Sequence, residues 1–540
     1  MEKINGSVLK GMLESGCNNL NNRKKEVDAL NVFPVPDGDT GTNMSLTFSN
    51  GISEINKSGS EQLSVISKTL SRGLLMGARG NSGVILSQIF RGFYQSVGDK
   101  DELDVKGLSQ ALCNGAKLAY KAVMRPVEGT ILTVVRESSE VADEYVNGNP
   151  ACSIEDYLDI LCKEAKASLD RTPELLPTLK EARVVDSGGS GLLAIFDGFR
   201  AYLQGAPILA GQSTPAGKAE ALLASGYCTE FILRLSDQGL HLYKEDRFRS
   251  SLNKMGQNIT IIRDGDLVKV RLNTITPGDV LNLGQRYGEF ARIRIDNLQE
   301  EQHPSILEEV SAEKEEAAEN EEKEFGIITV AAGEGLKKLF TEYRADVIIS
   351  GGQTMNPSTE DFVSAINKVN AKHIYLLPNN SNIIMAAQQA ASVTEDKDII
   401  VLQTRSIPEG LAACINFNTE GDVEENTANM NEAIAHVKTG QITYSIKDTT
   451  VDGREIHQGD YMGIFGKDIR LTAADKVTAA CELLKDMIDD ESEIVTLIQG
   501  EDATDEESAE VTSFIEENFD VDIDVQKGGQ PVYSFIIGVE

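Results

Sequence analysis

The stretch NVFPVPDGDTGTNM, residues 31–44, contains two aspartates, Asp37 and Asp39, separated by a single glycine. The two prolines before them favour an extended chain, and the glycine allows a sharp bend. Side chains two positions apart share a side of an extended or turning segment, so the two carboxylates can converge. At about 4 Å they would repel each other by roughly 1 kcal/mol in water, which a divalent cation would offset.

Mg²⁺ suits this arrangement, because it binds to one or two protein carboxylates together with substrate phosphates and water. The next residues, Thr40 to Asn43, run into the apolar pattern MSLTFSNGISEI. They can begin a helix whose free N–H groups would bind phosphate. The other interpretation is a surface turn in which the aspartates cap their own backbone. The stretch alone leaves both interpretations open.

Three more glycine-rich loops interrupt the helical pattern that follows. GARGNSGVIL, residues 77–86, places Asn81 and Ser82 just before a helix, where their N–H groups would form an anion site, although glycines that pack helices together are the alternative. PVEGTILTVVRE (126–137) and VVDSGGSGL (184–192) offer hydroxyls, small residues and one acid each. Neither a Walker A loop nor a dinucleotide fingerprint occurs. Four such loops predict one site for metal, phosphates and nucleotide at the end of a helical bundle.

The pattern of apolar residues divides the chain into domains. Residues 1–204 have helical spacing and predict an all-α domain. Residues 205–222 predict a linker, and the strand-like segments of 223–298 predict a small α+β domain. The acidic tract 299–324 is interpreted as a solvated linker. Residues 325–540 predict a C-terminal α/β domain. From GIITVAA to DIIVLQ (326–403), buried strands alternate with helices and predict a parallel, doubly wound sheet, and about 440–540 adds further strands and one helix.

Composition argues against several classes of function. The net charge of −34 argues against nucleic acid and against a bare anionic membrane surface. No apolar run approaches the roughly 18 residues of a spanning helix, so we expect no direct membrane insertion. Seven scattered cysteines without a CxxC pair fit reduced thiols and a cytoplasmic protein. The first 240 residues contain no histidine, so catalysis there could not use a histidine of that region.

Several of these motifs resemble a known family. DGDTGTNM, GARGNSG, EGT and VDSGGSG, in that order, resemble the DhaL (DAK2) nucleotide-binding domain of dihydroxyacetone kinases. Together with GGQPVYSFIIGVE near the end, they extend the resemblance over the whole chain to the DAK2 fusion proteins known as the ATP-binding subunit of bacterial fatty acid kinase (FakA). The resemblance implies a multidomain chain. Its parts would be an eight-helix barrel with the nucleotide at its mouth, a small α+β middle domain and a C-terminal α/β domain of DegV-like fold.

The resemblance also implies which residues bind Mg²⁺ and ATP. Asp37 and Asp39 would be the catalytic residues and the ligands of Mg²⁺. Dihydroxyacetone kinases carry a further acid upstream, and in that neighbourhood Asn31 could supply a neutral metal ligand here. The nucleotide would be lined by residues from all four loops: Thr40, Gly41, Thr42, Asn43, Asn81, Ser82, Gly83, Gly129, Thr130, Asp186, Ser187 and Gly188.

The activity implied by the resemblance is phosphorylation of a fatty acid carboxylate. The fatty acid would be presented by a separate, DegV-like fatty-acid-binding protein, the product would be an acyl phosphate, and the kinase would be a homodimer. An ionised carboxylate needs no deprotonation, which suits a domain without histidine. Two alternatives remain: a triose kinase of the dihydroxyacetone type, and a non-catalytic scaffold that binds nucleotide.

The other domains add three expectations. The middle domain of the family carries a His-x-His pair, but Arg271 and Asn273 occupy those positions here, so we expect no zinc site with Cys228 and only a scaffolding or dimer role. The loop SGGQTMNPSTEDF, residues 350–362, resembles the ligand loop of DegV-like proteins, and we expect it to dock the partner. GGQP, residues 528–531, is expected to connect two closing strands.

Overall fold

The computed structural model describes most of the chain. Outside the description lie residues 33–37, 212–226, 237–242, 253–254, 265–266, 275, 298–321, 353–355, 446–448, 452–453 and 467. Asp37, most of the predicted linker and most of the acidic tract therefore lie outside the described residues. The chain forms two compact units: Met1–Ile208 together with Glu321–Glu540, and Leu209–Asn320.

The N-terminal region is helical, as the apolar spacing predicts. Its helices are α1 (Gly6–Ala29), α2 (Thr40–Ser58), α3 (Leu63–Met76), α4 (Gly80–Val97), α5 (Val105–Ala122), α6 (Ile131–Gly148), α7 (Ile154–Leu175), α8 (Pro177–Ala182) and α9 (Ser187–Leu203). Eight of these are long, and they bury one shared apolar core. The sequence pattern missed a short antiparallel pair, β1 (Lys3–Asn5) and β2 (Glu102–Asp104), because three-residue strands carry no period of their own.

The second unit contains a four-stranded antiparallel sheet. Its elements are β3 (Tyr227–Leu235), α10 (Glu245–Leu252), β4 (Gln257–Asp264), β5 (Leu267–Thr274), α11 (Pro277–Gln285) and β6 (Gly288–Asn297). The strand order is β4-β5-β3-β6. Phe231, Leu233 and Phe248 are buried in its core. The α+β class agrees with the prediction, and helix α10 is an addition that the sequence pattern did not indicate.

The C-terminal region begins with the predicted alternation of strands and helices. The elements are β7 (Lys323–Ala331), α12 (Glu334–Glu342), β8 (Val347–Ser350), α13 (Thr359–Lys368), β9 (Ala371–Leu377), α14 (Ile384–Val393), β10 (Asp398–Val401), α15 (Ile407–Ile415) and α16 (Val423–His436). The four strands form a wholly parallel sheet in the order β10-β9-β7-β8. Parallel strands need crossover connections, and the helices provide them.

A second, mixed sheet completes the C-terminal region. Its elements, and those next to it, are β11 (Lys438–Tyr444), β12 (Thr449–Val451), β13 (Arg454–Ile456), β14 (Tyr461–Phe465), β15 (Asp468–Ala473), α17 (Lys476–Met487), β16 (Ile494–Gln499), α18 (Asp505–Asn518), β17 (Asp522–Lys527) and β18 (Tyr533–Val539). The strand order is β15-β14-β11-β18-β16-β17, in which β16 and β17 pair in parallel and the other neighbours pair antiparallel. GGQP joins β17 to β18, but β16 lies between them, so the connection is not a hairpin.

The helical and C-terminal regions of the first unit share an apolar cluster. Ala78, just before α4, and Val84, in its second turn, are buried with Phe362 and Ile366 of α13. Gln389 of α14 joins the same interface through hydrogen bonds to the helical region. The glycine-rich loop before α4 therefore packs against the C-terminal region.

Candidate functional site

The loop that contains Gly38 and Asp39, called the acid loop below, bends where the sequence predicts a bend. Gly38 has φ +66°, a conformation that favours glycine, and Asp39 is the N-cap residue of α2. Aspartate is a preferred N-cap, yet the carboxylate of Asp39 does not cap this helix. It accepts instead from Asn356 Nδ2 at 2.5 Å. The alternative of a self-capping surface turn is therefore wrong for Asp39.

The start of α2 is held by an acid that the sequence did not single out. Asp28, near the end of α1, accepts from Thr42 N and from Thr42 Oγ1, both at 2.9 Å. Gly41 permits this approach, because a Cβ there would lie 2.3 Å from Lys24 O. The hydroxyl of Thr42 is thus bonded to Asp28. Asn31 is buried just after α1, and its N–H donates to Asp28 O at 3.1 Å.

The loop before α4 lies against α2. Gly80 has φ +60°, and a Cβ there would lie 2.6 Å from Asn43 Nδ2. Thr47 Oγ1 accepts from Arg79 N at 3.1 Å, and a Cβ on Gly83 would lie 2.4 Å from the same oxygen. The glycines of this loop therefore allow close backbone approach, and the same contacts bring the loop to the acid loop. Asn81 and Ser82, in the first turn of α4, are half-buried.

The third and fourth loops also meet. Gly129, with φ +83°, precedes α6, and Asp186 is the N-cap residue of α9, where it accepts from Gly189 N at 2.7 Å. A Cβ on Gly188 would lie 3.2 Å from the Cβ of Ile131. The first turns of α6 and α9 are therefore side by side. Thr130 is the N-cap residue of α6, and Ser187 is the first residue of α9.

One contact joins the two pairs of loops. A Cβ on Gly191 would lie 2.7 Å from the Sδ atom of Met44, and each of these residues is the fifth of its helix, α9 and α2. The first turns of α4, α2, α9 and α6 are consequently neighbours in that order. Four helix N-termini at one end of the bundle present a cluster of positive dipole ends, which favours a polyanionic ligand.

Asp186 is the most perturbed acid of these loops. It is 5% exposed. Burial raises the pKa of its carboxyl from the ordinary 3.8 to about 6, although hydrogen bonds from the N–H groups of Gly189 and Ile131 oppose the rise. These bonds commit the carboxyl to the two helices, so its role there is to join α9 to α6.

A polar network supports the loop before α6. Glu128 accepts from Thr133 Oγ1 at 2.6 Å, from Arg136 at 2.9 Å and from Tyr120 at 3.0 Å. Burial raises the pKa of Glu128, but these three hydrogen bonds outweigh it, and the pKa is lowered. Thr133 Oγ1 accepts in turn from Gly129 N at 2.8 Å, so the network fixes the glycine turn.

The C-terminal region contributes residues to this end of the bundle. The backbone oxygen of Asn356 accepts from Arg79 Nη1 at 2.7 Å, and Ser358 forms an isolated antiparallel bridge with Arg79. Thr359 N donates to Ala78 O at 3.2 Å. Residues 353–355 of the 350–362 loop lie outside the described residues, and docking of a partner by this loop stays a prediction. Its residues at 356, 358 and 359 are buried against the helical region of the same chain.

The described residues contain no group of three His, Cys, Asp or Glu side chains arranged to bind a metal ion. Asp37, one of the predicted metal ligands, lies outside these residues. In the middle unit, the β3–β5 register places Cys228 opposite Asn273, and the expected lack of zinc there stays a prediction. No helix in the described part combines the length and apolarity needed to cross a bilayer.

A cavity of about 600 Å³ lies away from the four loops. Its lining includes Glu322, Lys372 and Lys397, which stand at the amino ends of the parallel strands or beside them. Ligands of open parallel sheets bind outside the carboxyl ends of the strands. We therefore do not take this cavity as the functional site.

Three family models match the chain in order. They describe a "DAK2 domain" (residues 34–201), the middle domain of FakA-like fatty acid kinase proteins (224–305) and the C-terminal domain of the same proteins (326–540). "Protein YloV" of Bacillus subtilis is 43% identical over 553 residues, covering 99% of each chain. An "Uncharacterized protein" of Staphylococcus aureus is 41% identical over 555 residues, covering 100% of each. A solved DegV family protein from Corynebacterium glutamicum, at 13% identity, covers 40% of this chain and 96% of its own, with a TM-score of 0.33, too low to support an inference.

Proposed function

The chain belongs to the FakA-like fatty acid kinase family of DAK2-domain proteins, and from that premise we propose that it is an ATP- and Mg²⁺-dependent kinase. Its acceptor is the carboxylate of a fatty acid, and its product is an acyl phosphate. The observation that carries the proposal is that the N-terminal ends of four helices, one of which has Asp39 as its N-cap residue, are neighbours within the part of the chain that the DAK2 model matches.

The residues of this end suit a nucleotide and its cation. Helices α2, α4 and α6 begin without a hydrogen bond from their N-cap side chains, although the N–H of Thr42 in α2 donates to Asp28 and that of Ile131 in α6 donates to Asp186. The other N–H groups of these first turns suit anionic phosphate oxygens. Asp39 supplies a carboxylate oxygen, the ligand type that Mg²⁺ prefers. We propose that Asp37 supplies a second carboxylate ligand to the ion and that Asn31 supplies a neutral one.

A Mg²⁺ ion held by Asp39 and Asp37 would neutralise charge on the ATP phosphates. The protein's own contribution is position. The first turn of α2, anchored by Asp28, and the first turn of α4, anchored by Thr47, would hold the phosphates. Asn43, Asn81, Ser82 and Gly83, in the same first turns, would line the phosphates. Gly129, Thr130, Asp186, Ser187 and Gly188, at the starts of α6 and α9, would line the rest of the nucleotide.

The transfer step needs no base. A carboxylate with an ordinary pKa near 4 is ionised at neutral pH and is already a nucleophile. One of its oxygens forms a bond to the γ-phosphorus, the bond to the β–γ bridging oxygen breaks, and ADP leaves with that electron pair. No proton is transferred. This step needs no histidine, and the first 240 residues of the chain contain none.

The acceptor is presented by a separate DegV-like fatty-acid-binding protein. Asn356, Ser358 and Phe362 pack against the helical region of the same chain, so a carrier that docks on the 350–362 loop would use its other residues. We further propose that the protein is a cytoplasmic homodimer. Its net charge of −34 favours neither nucleic acid nor an anionic membrane.

The test incubates the full-length protein with γ-labelled ATP and Mg²⁺. One arm contains a fatty acid together with carrier captured from the native cell extract, and one contains dihydroxyacetone alone. Transfer of label to the fatty acid, in the carrier arm only, is the expected result. Label on dihydroxyacetone without a carrier would establish a triose kinase instead. Nucleotide binding without transfer to either acceptor would favour a scaffold.

A further inference from the structure

Asn356 reaches the acid loop from a position 317 residues away in the sequence. Its Nδ2 donates to Asp39 Oδ2 at 2.5 Å and lies 3.4 Å from Asn43 Oδ1. An ionised carboxylate only accepts hydrogen bonds, so the amide must present its NH₂ group to Asp39. The other amide atom, Oδ1, is buried and has no hydrogen-bond partner among the described residues.

The position of this amide is fixed by packing. Asn356 is 3% exposed, and its backbone oxygen accepts from Arg79 Nη1 at 2.7 Å. Two residues further on, Ser358 pairs with Arg79, and Phe362 packs in an apolar cluster with Ala78. The amide of Asn356 is consequently held beside the acid loop by several independent contacts.

We propose that Asn356 is a positioning residue of the phosphoryl-donor site. Its NH₂ group orients the carboxylate of Asp39. Its buried oxygen coordinates the divalent cation, or accepts a hydrogen bond from a water molecule bound to that cation. The inference rests on the proposed function and extends it, because it makes the C-terminal domain part of the donor site. A separate domain then has to be docked before the site is complete.

The chemistry of the free oxygen favours a cation. A buried carbonyl oxygen without a partner is costly, and an ion or its water relieves that cost. An amide oxygen is a hard, neutral donor of the kind found around Mg²⁺ and Ca²⁺. An ionised phosphate has no hydrogen to donate to it. The oxygen of Asn356 is therefore suited to the cation that accompanies the nucleotide.

Gln389 provides a matched control in the same interface. It is 6% exposed, its Oε1 accepts from Gln88 Nε2 at 2.9 Å, and its Nε2 donates to Leu75 O at 2.7 Å. It therefore joins the two regions as Asn356 does, but through residues outside the acid loop. Gln389 also donates to Thr359 Oγ1 at 3.1 Å, but none of its hydrogen bonds among the described residues reaches Asp39. We expect a variant at Gln389 to weaken docking and to leave the hydrogen bond between Asn356 and Asp39 in place.

The experiment uses full-length wild-type protein, Asn356→Ala and Gln389→Ala. ATP binding is measured by calorimetry over a series of Mg²⁺ concentrations, and thermal unfolding checks that each variant is folded. Asn356→Ala is expected to raise the Mg²⁺ concentration needed for half-maximal ATP binding by roughly 10- to 100-fold. Gln389→Ala is expected to leave that concentration near the wild-type value, even where it lowers the unfolding temperature.

Two results would overturn the inference. One is an unchanged Mg²⁺ requirement in Asn356→Ala, and the other is an equal change in both variants, which would show that Asn356 only joins the domains. No acyl acceptor is present in this experiment. A failure to form acyl phosphate would thus overturn the proposed function while leaving the comparison of the two variants intact.

Discussion

Replacing Asp186 with asparagine tests the electrostatics of the loop that joins α9 to α6. The carboxyl is buried, and its pKa is raised from 3.8 to about 6. Between these values the folded protein binds more protons at this position than the unfolded chain does. Its contribution to stability is therefore fully present below about pH 3.8 and is lost as the pH rises through about 6.

The size of the effect follows from the shift. Each pKa unit is worth about 1.4 kcal/mol, so the change from 3.8 to about 6 corresponds to about 3 kcal/mol. Asparagine has nearly the same shape and stays neutral at every pH. Any packing cost of the amide beside Ile131 is independent of pH. The free energy of unfolding of Asp186→Asn, minus that of wild type, should thus rise by up to about 3 kcal/mol between pH 4 and pH 7.

The assay is chemical denaturation of both proteins at several pH values, followed by far-ultraviolet circular dichroism. Taking the difference between the two proteins cancels the titration of the acids that they share. A difference that stays constant from pH 4 to pH 7 would refute the reasoning, because the folded carboxyl would then titrate like the unfolded one.

Two further substitutions test the loop geometry by chemical denaturation. Gly80→Ala puts an alanine at φ +60° and its methyl group 2.6 Å from Asn43 Nδ2, so we expect the free energy of unfolding to fall by about 2 kcal/mol or more. In the control Gly148→Ala the new methyl group lies in open space, and the free energy of unfolding should change by less than about 1 kcal/mol. Equal effects would contradict this. Asp28→Ala removes both acceptors of Thr42 and should cost about 1–3 kcal/mol, and an unchanged stability would show that α2 does not need this anchor.

Much of the fold could be predicted because its elements are long and periodic. The helices of residues 1–204 and the strand–helix alternation after β7 follow directly from apolar spacing. The second C-terminal sheet was harder, because strand order depends on pairing between distant segments. Nothing in the local sequence of β17 and β18 indicates that β16 lies between them.

Some residues of the candidate site could be predicted from the sequence, and others could not. Gly38 and Gly80 could be recognised because glycine next to polar residues indicates a turn, and both have positive φ. Asp28 gave no signal, since an acid near the end of a helix usually faces solvent. Asn356 could not be linked to Asp39 from sequence, because the hydrogen bond depends on the docking of two regions 317 residues apart.

The most direct test of the account is calorimetric titration of ATP into wild type and Asp39→Asn, with Mg²⁺ and with a chelator. Asparagine keeps an oxygen that can accept from Asn356, but it removes the negative charge. Wild type is expected to bind ATP in a Mg²⁺-dependent manner, and Asp39→Asn is expected to bind at least about tenfold more weakly when Mg²⁺ is present. Equal affinities of the two proteins, with the same response to the chelator, would contradict the assignment of this loop as the metal–nucleotide site.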